Sequence, residues 1–186
     1  FFDVEWLDVD EEQAQKLIQS DELSHYKHYL ETSRRYKEHI LSEKEEQVLS
    51  AKKVTGRSAW NRYFDETMGA ARFELNGEEL TQQQVLSKLH ESDRDLRKRA
   101  HASATDTFKE HSRTLTFVFN TLLADKHTDD KLRGYDSWIS SRNLSNEIDD
   151  DTVNLLINSV TDQYSLVHRF YDLKRDLLGY DELYDY

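Results

Sequence analysis

The stretch DRDLRKRAHASATDTFKEHSRTLTFVFNTLLADKHTDDKLRG, residues 93–134, decides the fold. Within it Leu96, Ala100, Ala104, Phe108, His111, Leu115, Val118, Phe119 and Leu122 recur at helical spacing and share one stripe. Ser92 or Asp93 supplies an N-cap, because a short side-chain oxygen can accept from a free first-turn N–H. Gly134 ends the last turns of the helix. At about 1.5 Å per residue the rod is on the order of 50 Å long, enough to span a domain.

Outward from this rod the chain parses as helices with short connectors. Towards the C-terminus Asp149, Asp150 and Asp151 put three carboxylates at the positive end of a second long helix. Its stripe of Val153, Leu156, Ile157, Val160, Tyr164, Val167 and Tyr171 is joined by Leu166, Phe170, Leu173 and Leu177, so its second half is expected in the core. Towards the N-terminus the spacing predicts helices over about 10–19, 23–35 and 42–53, with Ser42 and Glu45 forming a capping box and Gly56 a left-handed cap. Trp60, Tyr63, Phe64 and Met68 predict a fourth helix with an aromatic core stripe. Phe73 and Leu75 alternate with charges before Asn76-Gly77, the strongest short hairpin signal, because both turn residues must accept positive φ. Thr81 and Gln84 form a second capping box. The predicted class is all-α, a multi-helix bundle with two long helices and one small β-hairpin.

Composition agrees. At roughly 5% proline an average chain of this length would carry about nine; this one has none among its 186 residues. The hydrophobic fraction is only 37%, so the eight Phe, ten Tyr and three Trp must supply much of the buried surface. A net charge of −12, with basic residues scattered among acids, opposes binding to nucleic acid or to an anionic membrane. No apolar run is long enough to span a bilayer and no signal-peptide pattern opens the chain, and the absence of cysteine excludes disulfides, thiolate metal sites and a thiol nucleophile. Localisation is read as cytoplasmic.

Catalytic patterns are tested and fail on chemistry. His90-Glu91-Ser92-Asp93-Arg94 begins like H-E-x-x-H but has Arg where the second imidazole must stand one turn later. His25, His28 and Glu31 share a helix face without a fourth ligand, and His101 and His111 lie too far apart to share an ion. His127 to Asp130 and Glu147 to Asp151 could attract a hard cation but lack the EF-hand pattern. Asn143-Leu144-Ser145 is a formal glycosylation sequon, of consequence only in a secreted chain. No catalytic, cofactor-binding or metal residue is assigned. One site-like feature is the polar, aromatic loop between the long helices, with Trp138, Ser140, Ser141, Arg142 and Asn143 as candidate substrate-channel residues; a plain connector is the other reading.

Several runs carry a family resemblance. Phe1-Phe2-Asp3-Val4-Glu5-Trp6, His25-Tyr26-Lys27-His28-Tyr29-Leu30-Glu31, Leu41-Ser42-Glu43-Lys44-Glu45-Glu46 and Thr55-Gly56-Arg57-Ser58-Ala59-Trp60 occur in order. They are followed by Arg72 to Thr81, Asp93 to Ala100 and His168 to Arg175 with Leu178-Gly179. This series resembles the N-terminal helical region of oligoendopeptidase F, a relative of thimet oligopeptidase. The resemblance implies a zinc metallopeptidase that cuts short peptides in a channel between two helical lobes, with an H-E-x-x-H helix outside the matched region. Residues 1–186 are then expected to be one N-terminal lobe, truncated at both ends, forming a channel wall and inactive alone. Zinc would belong to the parent enzyme and not to this chain. The partners implied are the catalytic lobe of the same polypeptide and an oligopeptide substrate. The alternatives are a free-standing acidic helical interaction module and a carboxylate metal-binding protein.

Overall fold

A computed structural model describes residues 2–186. It divides into two compact units, Phe1–Lys52 with Asp125–Tyr164, and Lys53–Ala124 with Ser165–Tyr186. The fold is all-α with one two-stranded antiparallel hairpin, as the periodicity predicts.

The first unit opens with α1 (Phe2–Asp8) and α2 (Glu11–Ile18), the latter capped by the Asp10 carboxylate accepting from Gln13 N–H at 3.0 Å. The expected second helix is instead a 3₁₀ segment, Asp21–Tyr26, followed by α3 (Lys27–Arg34), and Ser20 makes no side-chain cap. The helix α1 had no sequence expectation, yet it supplies Trp6 and Leu7 to a core with Ala14, Ile18 and Leu30. Trp6 Nε1 donates to the Leu30 carbonyl at 3.1 Å, so the indole is buried without an orphan donor. Arg34 lies over the same ring and donates to the carbonyls of Trp6 and Val9 and to Glu11, serving backbone acceptors that α1 leaves open at its end. A 3₁₀ turn, Lys37–His39, leads to α4 (Glu43–Lys53). There Glu45 accepts from both Ser42 N–H and Ser42 Oγ.

The second unit holds α5 (Arg57–Ala70), the strands β1 (Phe73–Leu75) and β2 (Glu78–Leu80), and α6 (Gln82–Ser87). Phe73 pairs with Leu80 and Leu75 with Glu78 across the Asn76-Gly77 turn, whose φ values of 58° and 86° are both positive. Both halves of the Thr81 and Gln84 capping box form. Phe73 and Val85 are fully buried in a cluster with Met68, Ala71, Leu75, Ala100 and Ala104. Two expectations fail here. Gly56 has φ −97° and precedes α5 as its N-cap, so the chain re-enters a helix directly and needs no left-handed residue. Of the α5 stripe only Met68 is buried, while Tyr63 and Phe64 stay exposed because the hairpin covers only the C-terminal end of that helix.

The helix α7 (Arg94–Leu132) contributes residues to both units. Asp93 is its cap, accepting from Asp95 and Leu96 N–H. Ala100, Ala104 and Val118 of the predicted stripe are buried, whereas Phe119 is 65% exposed. Gly134 has φ 69°, and the bonds Tyr135 N–H to Asp130 O and Gly134 N–H to Lys131 O complete a Schellman motif. A Cβ at Gly134 would meet nothing within 4 Å, so only backbone strain opposes it. Gly134→Ala should cost about 1 kcal/mol in urea denaturation.

Residues 135–148, expected as an irregular loop, contain the short helix α8 (Ser140–Ser145). The predicted second long helix is two, α9 (Asp150–Asp162) and α10 (Tyr164–Leu178), with Gln163 between them. Asp149 caps α9 through Thr152 N–H at 2.7 Å. Neither helix has a buried residue, which corrects the core assignment: the apolar side chains are present, but no element of the helix's own unit covers them.

Candidate functional site

The predicted loop residues do not face one way. Ser140, Ser141, Arg142 and Asn143 share α8, and Trp138 precedes it at 77% exposure. Ser140 Oγ lies 2.8 Å from Ser137 Oγ. Ser141 Oγ donates to Asp130 at 3.1 Å and accepts from Lys126 Nζ at 3.2 Å, while Lys126 also pairs with Asp130 directly. The Asn143 side chain is buried and donates to Asp150 at 2.6 Å. Ser141 and Asn143 therefore fasten α8 to α7 and α9, and Trp138 and Arg142 remain turned to solvent. The Lys126 ammonium, neutralised by Asp130, is a donor and not a base, so it cannot activate Ser141 as a nucleophile.

Two clusters that the sequence reading missed hold this segment. Glu147 has φ 55°, an unusual backbone for a residue with a Cβ, and occupies the left-handed position that ends α8. Its carboxylate meets His28 at 3.0 Å, Thr32 at 3.4 Å and Arg35 at 3.6 Å, one face of α3. Contacts with a segment more than a hundred residues earlier leave no local signature.

The second cluster centres on Arg133. Its guanidinium grips Glu46 in two-point fashion at 2.6 and 3.1 Å and also bonds Asp129 and the His39 carbonyl. His39 Nδ1 lies 2.9 Å from the Arg133 carbonyl, which can only accept, so Nδ1 carries the proton. The His39 ring stacks on Tyr135 at 3.9 Å. The Arg133 hydrogen bonds hold the Glu46 carboxyl below its ordinary range despite partial burial, and burial pushes the Tyr135 phenol up. The bidentate pair and the stacked ring together make a clamp between α4, the end of α7 and the segment that follows it.

The candidate metal ligands are not brought together. His25 stands edge-on to Tyr26, His28 pairs with Glu147, and His101 pairs with Asp185. Asp149 is spent on the α9 cap, which lowers its pKa through the Thr152 hydrogen bonds. Among the described residues no group of three or more His, Cys, Asp or Glu side chains is placed to hold a metal ion, so the residues present do not fit zinc. No described helix is long and apolar enough to cross a membrane.

The concave surface of the second unit lies along α5 and α7. On one side Phe64, Leu115 and Phe119 line a groove of about 440 Å³ with Asp65 as its charge. On the other, Trp60, Tyr63 and Phe117 line a groove of about 700 Å³ with Arg113 as its charge. The Trp60 ring meets Phe117 at 5.3 Å and Tyr63 at 6.3 Å, both edge-on. This is the exposed remainder of the aromatic stripe that the sequence placed in the core.

Comparison with known proteins agrees in sequence and in fold. A family model described as Oligopeptidase F, an N-terminal one, matches residues 5–73. Group B oligopeptidase PepB of Streptococcus agalactiae is 26% identical over 98% of this chain and 32% of its own length. An oligoendopeptidase F homolog of Borreliella burgdorferi is 28% identical over 97% of this chain and 31% of its own. The crystal structure of oligoendopeptidase-F from Enterococcus faecium, 23% identical, covers 98% of this chain and 37% of that one with a TM-score of 0.84. The chain thus spans about a third of the length of the curated relatives it matches. In sequence it resembles part of oligoendopeptidase F-type peptidases, and in fold it matches about a third of one.

Proposed function

We propose that residues 1–186 form the N-terminal helical lobe of a zinc-dependent oligopeptidase, one wall of a channel in which short peptides are hydrolysed. The observation that carries this reading is colinear similarity over almost the entire chain to oligopeptidases of which it spans about a third. The unburied apolar faces of α9 and of α10 support it, since each asks for a covering surface outside the chain. On this reading the zinc ligands and the catalytic groups belong to a catalytic lobe of the same polypeptide, and the chain alone is inactive. The whole protein works in the cytoplasm. Trp138 and Arg142 are the residues of the 136–143 segment that touch substrate, and Ser140, Ser141 and Asn143 position them.

A quenched fluorescent oligopeptide tests the proposal. The chain alone should give no hydrolysis above buffer, whereas the protein extended to the length of its relatives should cleave the peptide and lose that activity to a chelator. Chelator-sensitive cleavage by the chain alone would overturn the assignment of catalysis to another lobe. In the extended protein Arg142→Ala should lower kcat/KM about fivefold, the scale of one exposed charge-assisted contact; an unchanged value across several peptides removes the segment from the channel. If the chain melts cooperatively as a monomer without self-association, the free-standing interaction module becomes the better reading.

A further inference from the structure

We propose that the groove along α5 and α7 on the Trp60 side is a peptide C-terminus site, taking a free carboxylate at Arg113 and the last, aromatic or large apolar side chain among Trp60, Tyr63 and Phe117. This deepens the oligopeptide reading, on which it rests, by naming the part of the peptide that is recognised.

Three observations select the occupant. First, the groove combines edge-on aromatic rings with the polar side chains of Thr116 and Asn120. A side chain with a polar backbone attached fits that combination, since the rings bury the side chain and the hydroxyl and amide meet the peptide group. Second, Arg113 is the one charged residue lining the groove, and it is engaged in no ion pair or hydrogen bond among the described residues. Arg113 is exposed, whereas the partly buried Arg34 and Arg133 are committed to carboxylates. A guanidinium beside an apolar groove matches a carboxylate by its planar two-donor edge. Third, the parallel groove on the opposite side of α7 carries Asp65 in place of an arginine. The chain as a whole is at −12, so a carboxylate finds a favourable local charge at the Arg113 groove and an unfavourable one at the Asp65 groove.

N-acetyl-Gly-Gly-Phe with a free carboxylate and its C-terminal amide are the probes, titrated into the 186-residue chain with binding followed by calorimetry and by tryptophan fluorescence. The free acid should bind saturably and the amide about fivefold more weakly, the scale of an exposed guanidinium–carboxylate pair. Arg113→Gln should bring the acid to the amide's affinity while leaving the amide unchanged, and Trp60→Phe should remove the fluorescence response. Circular dichroism checks that both variants remain folded. Equal binding of acid and amide, persistence of the acid preference in Arg113→Gln, or no saturable binding of the acid each overturns the proposal. Because the readout is binding and not hydrolysis, these outcomes stand apart from the failure of the peptidase reading.

Discussion

Phe73→Ala should destabilise the second unit by about 4 kcal/mol, as expected for removing a fully buried ring and leaving a cavity. Phe73 has no exposed surface, and its ring meets Phe108 of α7 edge-on at 5.6 Å. It opens β1 opposite Leu80 and packs in the cluster of Met68, Val85, Ala100 and Ala104, so one side chain joins α5, the hairpin, α6 and α7. Single domains hold roughly 5–15 kcal/mol in total, so this substitution takes a large share of that stability. Urea unfolding should show a lowered midpoint with an unchanged slope, and Phe73→Leu, which keeps most of the volume, should cost only about 1.5 kcal/mol. A loss under about 1 kcal/mol for the alanine variant would mean that the ring is not the centre of this core. The Trp60 groove rests on the same two helices, so loosening them should also weaken the peptide binding proposed there.

Much of this core was legible because its signals are local. Asn76-Gly77 demands positive φ at both residues, and Thr81 with Gln84 satisfies two orphan groups within four residues, so neither depends on the rest of the fold. The long helix was legible for a related reason, as a sustained period needs only its own residues. What failed was the step from an apolar stripe to burial. Tyr63, Phe64, Leu156 and Phe170 keep the spacing that predicts a core face, yet all are exposed. Periodicity states that a face wants a cover; it does not state that the same chain supplies it. The helix α1 was missed because its seven residues are too few to show a period, and its stability comes from the Trp6 indole and the distant Arg34.

The candidate site was legible only in part. Gly134 and Asp149 marked the borders of the segment between α7 and α9: Gly134 ends α7 as expected, and Asp149, expected only as a charge at the helix start, is the cap of α9. Its interior organisation was not visible. Glu147, Asp130 and Arg133 act through residues from α3, α4 and α8, and no spacing rule connects positions so far apart. Ser141 and Asn143 looked like surface polar residues for the same reason, since only the fold supplies Asp130 and Asp150 as their partners.

Arg133→Ala should cost the first unit about 2–3 kcal/mol, less than a fully buried pair because both side chains keep some solvent. Arg133 is 21% exposed and Glu46 16%, so removing the guanidinium leaves a carboxylate largely out of water with only the Leu41 N–H to serve it. Arg133→Lys should recover little, because an ammonium cannot bond Glu46, Asp129 and the His39 carbonyl from one planar group. The sign of the pH dependence follows from Glu46. Its folded pKa is depressed below the ordinary 4.5, chiefly by the Arg133 hydrogen bond, so the unfolded chain takes up its proton first. The stabilisation is therefore present above 4.5 and is lost as acidification passes through the lowered folded value. Thermal melting of the parent chain should fall steeply on going from neutral pH into that range. The fall should be shallower in Arg133→Ala, whose Glu46 has lost the partner that depressed it. An equal acid dependence in the two proteins would show that other carboxylates, such as the Asp149 cap, govern the transition. The consequence reaches the residues proposed for the channel, because Arg133 receives the His39 imidazole at its carbonyl, and His39 stacks on Tyr135 at the start of the segment that presents Trp138 and Arg142. Losing the clamp should therefore raise amide exchange across residues 135–148 before the rest of the first unit opens, whereas uniform exchange throughout that unit would sever the link between clamp and segment.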